Sequence, residues 1–415
     1  MSILNKSILN KFIESNRTLL SDSNENFFDL LKEFIPVNVH RFKSGTESFD
    51  WKIPKKWKVN RGVIKNSKGK TIIDSSDNIL HLINYSNSFK GKLSLNELKN
   101  YLHYDEDLPN AIPYRTTYYS DNWGFCLSYN DFISMTDDYY YVDIDTEFVD
   151  GELLIGEAVI KGELDREIIL SSYYCHPNQA NDGLSGVFLL SELYDKMKNL
   201  NLKYTYKFFF WPETIGALTS LSQRLIIPEN VEYSMVSTTV GYGNTINYKK
   251  TYLENHSIDN IIEDLEEDIN ITKYNPTGSD ERQFSSNGIR IPSGVLTLES
   301  YENYKEYHTS EDNLDLISIN NIKKMTNLYL KILLKYEKYD KYKLSTHGGE
   351  PFLTKYNLYR TIGVPGHSDD DVIRNWVIHY SDGTKNKKDI SKLIGCEESI
   401  IEEFIDEFKI KGLLI

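Results

Sequence analysis

Residues 167–190 read EIILSSYYCHPNQANDGLSGVFLL. The apolar run Ile168, Ile169 and Leu170 leads into Ser171–Tyr174, which is the length and composition of a buried strand. A polar loop follows, Cys175–Gly183, with His176 near its start and Asp182 near its end. Leu184–Met197 then reads as a helix, with Val187, Leu190, Leu193, Tyr194 and Met197 at helical spacing. Strand, polar loop and helix in that order place ligands at the carboxyl edge of an α/β sheet. His176 and Asp182 therefore stand where such folds keep their chemistry. The structural alternative is a loop histidine and a helix-capping aspartate, a common use of Asp.

Working outward, the pattern repeats. Tyr204–Trp211 is a second apolar run and Gly216–Arg224 starts a helix. Tyr233–Val240 is a strand, Ile258–Glu267 a helix, Val295–Leu298 a strand and Ile317–Tyr336 a long helix. This alternation from residue 167 to 340 predicts a doubly wound, largely parallel sheet. Upstream, Ser2–Ile35 reads as helical, and Phe42–Tyr85 as short apolar runs broken by turn residues, a β signal. Ser94–His103 reads as one short helix whose Ser94 and Glu97 have the spacing of a capping box. Tyr114–Ser128, YRTTYYSDNWGFCLS, is aromatic and turn-rich, and Tyr114–Trp123 reads as packing of the nested domain rather than a binding lip. Tyr139–Lys161 alternates as long antiparallel strands. Beyond Gly348, Asp369–His379 is a helix, and Lys388–Leu393 and Ser399–Phe408 form a helical pair around Gly395. With the closing GLLI as a strand, that is a small winged-helix-like module.

Composition narrows the function classes. The chain has 415 residues and a net charge of −14, the wrong sign for nonspecific nucleic-acid binding. Three cysteines, Cys126, Cys175 and Cys396, are too few and too scattered for a disulfide framework. The first residues form an amphipathic polar segment rather than a signal peptide, and no apolar run approaches a membrane span. The expected location is the cytoplasm. The 30 tyrosines and 18 phenylalanines are read mainly as genome composition, with a stacking role open for a few of the tyrosines.

Four separated segments meet the needs of a hydrolytic metal site. They are HPNQANDGLSG from His176, WPETIGAL from Trp211, GSDERQF from Gly278 with GIRIP from Gly288, and YHTSEDNLDLI from Tyr307. Zinc takes histidine nitrogen and carboxylate oxygen, and a catalytic zinc leaves a position open. His176, Asp182 and His308 would supply three ligands. Glu213, which follows a buried strand, is the candidate base for the attacking water. Asp280, Arg282 and Tyr307 are candidate substrate contacts, Arg282 through bidentate binding of a carboxylate. The alternatives are that His308 caps a helix, that Asp280 caps a turn and that Arg282 pairs with Asp280 or Glu281. The other histidines, His40, His81, His103, His256, His347, His367 and His379, have no motif around them and are read as structural.

These four segments resemble the zinc aminopeptidase family of co-catalytic metallopeptidases. More closely, FDWKIPKKW, AIPYRTTYYSDNWGFCLS, CHPNQANDGLSG, PETIGAL and GSDERQF resemble the landmarks of a family of bacterial aminopeptidase-like proteins. That resemblance implies an α/β fold of zinc-aminopeptidase type, a doubly wound mixed sheet with a nested small β domain and a C-terminal winged helix. The expected domains are residues 1–48 with 131–342, the nested domain 49–130 and the winged-helix-like domain 343–415. It also implies genes lying among those of polysaccharide biosynthesis. The chain departs from the larger peptidase family at two positions. That family uses two adjacent Glu where this chain has Glu213-Thr214 or, shifted by one, Pro212-Glu213, and an Asp on the strand that here reads Ser237-Thr-Thr-Val240. One zinc held by His176, Asp182 and His308 is the economical reading, a second site is in doubt, and Glu213 is either base or fourth ligand.

The expected protein is a zinc-dependent amide or peptide hydrolase acting on an amino-sugar amide or an aminoacylated intermediate. Its expected partner is a small-molecule or short peptide-like substrate, with no nucleic acid and no membrane, and with a homo-oligomer left open. Two rivals stand beside it: a metal-binding scaffold of weak activity, and a winged-helix regulator. Metal stoichiometry with turnover separates the first, and a DNA shift assay the second.

Overall fold

The computed structural model describes residues 2–117, 119–346, 348–358 and 368–415. His347 and His367, read above as structural histidines, lie outside the described residues. The chain divides into two compact units, Met1–Glu254 with Glu267–Leu330, and Asn255–Glu266 with Lys331–Ile415.

The first unit is built on an eight-stranded sheet. Its strands in chain order are β1 (Asn38–Lys43), β2 (Glu152–Ile160), β3 (Glu167–Tyr173), β4 (Thr205–Trp211), β5 (Val231–Ser237), β6 (Ile246–Lys249), β7 (Ile269–Thr272) and β8 (Ser293–Thr297). They lie in the order β1-β2-β4-β3-β5-β8-β6-β7. The inner block β4-β3-β5-β8 is parallel throughout. On one side β2 joins β4 antiparallel and β1 joins β2 antiparallel, and on the other β6 joins β8 antiparallel, so the sheet is mixed. The parallel block is the part that strand–helix alternation predicts. The antiparallel flanks depend on partners that periodicity does not reveal.

β3 is the centre because its residues cannot be elsewhere. Ile168, Ile169 and Leu170 are fully buried, as are Phe208, Phe209, Phe210 and Trp211 beside them on β4. Strands apolar on both faces need cover on both faces. The helix Leu184–Met197 packs on β3 and β5, and the helix Ile215–Ser222 packs on β2. Ile169, Tyr173, Phe209 and Trp211 share a core with Ile215, Leu221 and Phe284.

A second, four-stranded antiparallel sheet is formed by Lys56–Lys65, Thr71–Asp74, Phe89–Ser94 and Tyr139–Val149. Its core gathers Trp57, Ile64, Tyr85, Phe125, Tyr140 and Val142. The two long strands read between residues 139 and 161 are present, but they belong to different sheets: Tyr139–Val149 pairs here and β2 pairs in the large sheet. Of Ser94–His103, only Leu95–Leu98 is α-helical, and the capping box of Ser94 and Glu97 is in place.

The second unit carries the winged-helix module, with helices Asp369–Tyr380, Lys387–Ile394 and Glu398–Ile410. Asn386 and Asp389 form a capping box at one end of the middle helix, and Gly395 ends it at φ +78°. Val377, Ile390, Ile401, Ile405 and Phe408 form the core. The closing GLLI contributes a single bridge, Leu414 to Leu344, rather than a strand. Among the described residues, no helix is long and apolar enough to cross a membrane.

Candidate metal centre

Parallel pairing of β3 with β4 sets Tyr173 beside Trp211. The loops leaving their carboxyl ends therefore carry His176 and Glu213 to one edge of the sheet. Two glycines shape the first loop. Gly183 has φ +90°, and a Cβ there would lie 2.7 Å from the Tyr173 carbonyl oxygen. Gly186 lets the following helix touch β5, since a Cβ there would lie 1.9 Å from the Ser237 carbonyl oxygen. Gly183, not Asp182, is the residue at the helix N-cap, and no side chain caps that end. The capping alternative for Asp182 therefore fails.

His308 arrives from a distant loop and has φ +55°, a backbone region uncommon for a residue with a side chain. Asp312, four residues on, ties this loop to the one bearing Asp182. Its Oδ1 accepts from the backbone N–H of Ala180 at 3.2 Å and of Asn181 at 2.6 Å, and its Oδ2 from that of Asp182 at 2.9 Å. Burial pushes the Asp312 carboxyl up to about 7. Arg17, fully buried, donates to the carbonyl oxygens of Tyr174 at 2.6 Å and Gln179 at 3.5 Å. Burial lowers its guanidinium to about 9, against the attraction of Asp312 and other groups. Sequence reading assigned no role to Arg17 or Asp312. Asp312 lay inside a quoted motif, whereas Arg17 has no local signal at all.

The structure brings His176, Asp182 and His308 together, with a ligand-type atom from each within 4.8 Å of the others. Nε2 of His308 is 2.9 Å from Oδ2 of Asp182, and Nδ1 of His176 is 4.0 Å from the same oxygen. All three atoms are buried, and none makes a hydrogen bond. Buried polar atoms without partners are costly. Three of them, two imidazole nitrogens and a carboxylate oxygen, turned toward one another fit a divalent cation of the zinc type. Burial holds His176 down at about 4, so its imidazole is neutral. Burial raises the Asp182 carboxyl, but His176, His308 and Tyr173 outweigh it and leave it at about 2, ionised. Neutral imidazole and ionised carboxylate are the ligating forms.

Glu213 adjoins this group, its Oε2 3.7 Å from Nε2 of His176. Its Oε1 accepts from the Ser279 hydroxyl at 2.7 Å, and its backbone N–H donates to Sγ of Cys175 at 3.3 Å. Burial, with the nearby charges of Asp280 and Asp182, raises its carboxyl well above the usual range. Thr214 beside it sits at φ +66°, a strained setting for a β-branched residue, and strain of this kind gathers at functional sites.

The three expected substrate contacts divide. Tyr307 stacks on His308, ring centroids 3.9 Å apart, and lines the adjoining cleft. Asp280 is not a substrate contact: it is fully buried, and its oxygens accept from Trp211 Nε1 at 2.8 Å and from the Thr214 N–H at 2.7 Å. It positions the Glu213 turn. Arg282 braces the same turn, donating to the Ser279 carbonyl at 3.1 Å and to Thr214 Oγ1 at 3.0 Å. Tyr114, read as packing, does more: its ring lies edge-on to His176 at 5.2 Å and to His308 at 5.1 Å, and its N–H donates to the His308 carbonyl at 2.7 Å. The cleft beside the centre encloses about 500 Å³. Asn247, Asn270, Asn275, Thr297 and Tyr301 are among its lining residues.

Comparison with known proteins agrees with this fold. Residues 6–339 match the family described as a domain of unknown function, DUF4910, and residues 340–415 match a winged helix-turn-helix family. A Clostridium acetobutylicum protein, named as a candidate polysaccharide biosynthesis protein with an aminopeptidase-like domain, is 39% identical over 388 residues, 92% of this chain and 89% of that protein. A crystal structure of a candidate peptidase from the same species superposes with a TM-score of 0.78 at 35% identity, covering 99% of this chain and 95% of that one. A zinc aminopeptidase of Bacillus subtilis shares the fold at a TM-score of 0.57 and 12% identity, over 79% of this chain and 94% of that one.

Proposed function

The chain belongs to the DUF4910 family, and from that premise we propose that it is a metal-dependent amide hydrolase of aminopeptidase-like type. His176, Asp182 and His308 would hold one zinc ion. When bound, the ion would supply Lewis acidity toward the amide carbonyl and lower the proton affinity of a water at the site. Glu213 stands next to the three donors with one oxygen fixed by Ser279. It takes the proton of the attacking water and passes it to the leaving amine, and its raised proton affinity suits both transfers. Asp280 and Arg282 hold the strained turn that aims it. Tyr114 and Tyr307 wall the histidines and limit access of bulk water.

The observation that carries this reading is the trio of buried donor atoms, turned toward one another and to no other hydrogen-bond partner, with a carboxylate 3.7 Å from one of its imidazoles. The cleft supports a substrate class. Amides, hydroxyls and the carboxylates of Glu213, Glu281 and Glu302 line it, and its lining cation, Lys249, is bonded to Glu281 and to the Thr277 carbonyl. Such a wall suits a neutral, polyhydroxylated group better than an anion. That supports an amino-sugar amide or an aminoacylated sugar, in keeping with the name of the C. acetobutylicum relative. The test is Glu213→Gln assayed on N-acyl and N-aminoacyl amino sugars. Retained zinc with lost turnover supports the base, lost zinc makes Glu213 a ligand, and full activity excludes both roles.

A second reading, a metal-binding scaffold of weak activity, is favoured by Thr214 and Thr238. Neither carries a carboxylate, and their hydroxyls are engaged by Arg282 and Tyr173. A zinc-loaded chain without turnover on any amide would support it.

A further inference from the structure

Asp182 has two carboxylate oxygens, and the fold treats them differently. Oδ2 faces His176 and His308 and has no hydrogen bond. Oδ1 accepts the hydroxyl proton of Tyr173. The same phenol oxygen lies 2.8 Å from Thr238 Oγ1. With the phenol proton given to Asp182, the Thr238 hydroxyl donates to the phenol. The result is a directed chain, Thr238 to Tyr173 to Asp182.

The ring that carries this hydroxyl has little freedom. Tyr173 ends β3 and is 3% exposed. Its ring lies edge-on to His176, centroids 5.0 Å apart. On the other side Gly183 presses on it, since a Cβ there would come within 2.8 Å of the ring. The β3–β5 register pairs Ser171 with Val236, which carries Tyr173 level with Thr238. Strand pairing, a histidine and a glycine thus hold one phenol against one carboxylate oxygen.

A hydroxyl proton on Oδ1 takes up one of that oxygen's two lone pairs and so competes with a second cation for it. It also opposes a two-oxygen grip on a single ion. We propose that Tyr173 is a positioning residue that commits Asp182 to ligation through Oδ2 alone and so limits the centre to one ion. The inference rests on the reading of His176, Asp182 and His308 as a metal site.

The test uses the full chain and its Tyr173→Phe variant, which keeps the ring and removes the hydroxyl. Zinc stoichiometry is measured by elemental analysis, and affinity by competition with a chromophoric chelator. The visible spectrum of the Co(II)-substituted protein reports coordination number, strong for four-coordinate and weak for six-coordinate cobalt. The wild type should bind one ion. The variant should bind it about 10–100-fold more weakly, the usual effect of removing a hydrogen bond behind a ligand. It should also show a weakened cobalt spectrum or take up a second ion. Thr238→Val, which removes only the far end of the chain, should shift affinity the same way by less, and it serves if the Phe variant does not fold. A wild type that binds one ion beside variants of unchanged affinity, stoichiometry and spectrum would overturn the inference and leave the metal site standing. A wild type that binds none overturns both.

Discussion

Gly186→Ala sets two effects of opposite sign against each other at the centre of the fold. Gly186 is the third residue of the helix Leu184–Met197, where alanine is favoured over glycine by about 1 kcal/mol on propensity alone. The geometry opposes it. The new Cβ would lie 1.9 Å from the Ser237 carbonyl oxygen, 2.5 Å from Ser172 Oγ and 2.6 Å from the Ser237 carbonyl carbon. Two of these neighbours are backbone of β5, which is buried and hydrogen-bonded to β3 and β8 and so has no room to give. Non-bonded heavy atoms sit best at roughly 3.5–4.0 Å, so the helix must withdraw by more than about 1 Å. Overpacking of this kind costs about 3 kcal/mol, which leaves about 2 kcal/mol of net destabilisation. For a unit of this size that lowers the thermal midpoint by roughly 3 °C. Asp182 stands four residues earlier, so zinc affinity should fall with it. Differential scanning calorimetry and a chelator competition read both. A midpoint equal to or above the wild type, with unchanged affinity, would refute the close helix–strand approach from which the argument starts.

Three further outcomes are expected. His308→Ala should abolish tight zinc binding, and full occupancy of that variant by elemental analysis would remove His308 from the site. Burial raises the Asp280 carboxyl from 3.8 to about 6, so the folded chain keeps a proton that the unfolded chain has lost between those values; stability therefore falls as pH rises through that window, by about 3 kcal/mol. Urea unfolding of the metal-free protein should show this fall in the wild type relative to Asp280→Asn, and parallel pH profiles would contradict it. The full chain should not bind duplex DNA at low salt, because Glu398, Glu402, Glu403 and Asp406 lie exposed on the last helix while Ile401, Ile405 and Phe408 are buried; micromolar, salt-sensitive binding would contradict this.

How much of this was legible follows from how far apart the partners lie. The strand–loop–helix of residues 167–197 could be read because its signals are local: an apolar run, a polar loop and helical spacing. The helix begins and ends where the spacing places it, at Leu184 and Met197. His176, Asp182 and His308 were legible because ligand chemistry restricts which side chains can serve. Their support was not. Arg17 reaches Tyr174 across 157 residues, and Asp312 reaches Asp182 across 130. Tyr173 looks in sequence like any aromatic residue ending a strand, and only the partner of its hydroxyl distinguishes it. Asp280 stood in sequence between a substrate contact and a turn cap, and only the fold shows that its oxygens accept from Trp211 and from the Thr214 N–H. The strands Tyr139–Val149 and β2 were separable by pattern but not assignable to sheets, since a period of two fixes the faces of a strand and not its neighbours.

The central claim is a single metal ion held by three side chains from two distant loops. A crystal grown with zinc, with diffraction recorded on both sides of the zinc absorption edge, tests it most directly. The account predicts one anomalous peak, bounded by His176, Asp182 Oδ2 and His308 Nε2, with none on the Tyr173 side of Asp182. No peak at that position, or a second peak between Asp182 and Thr238, would contradict it.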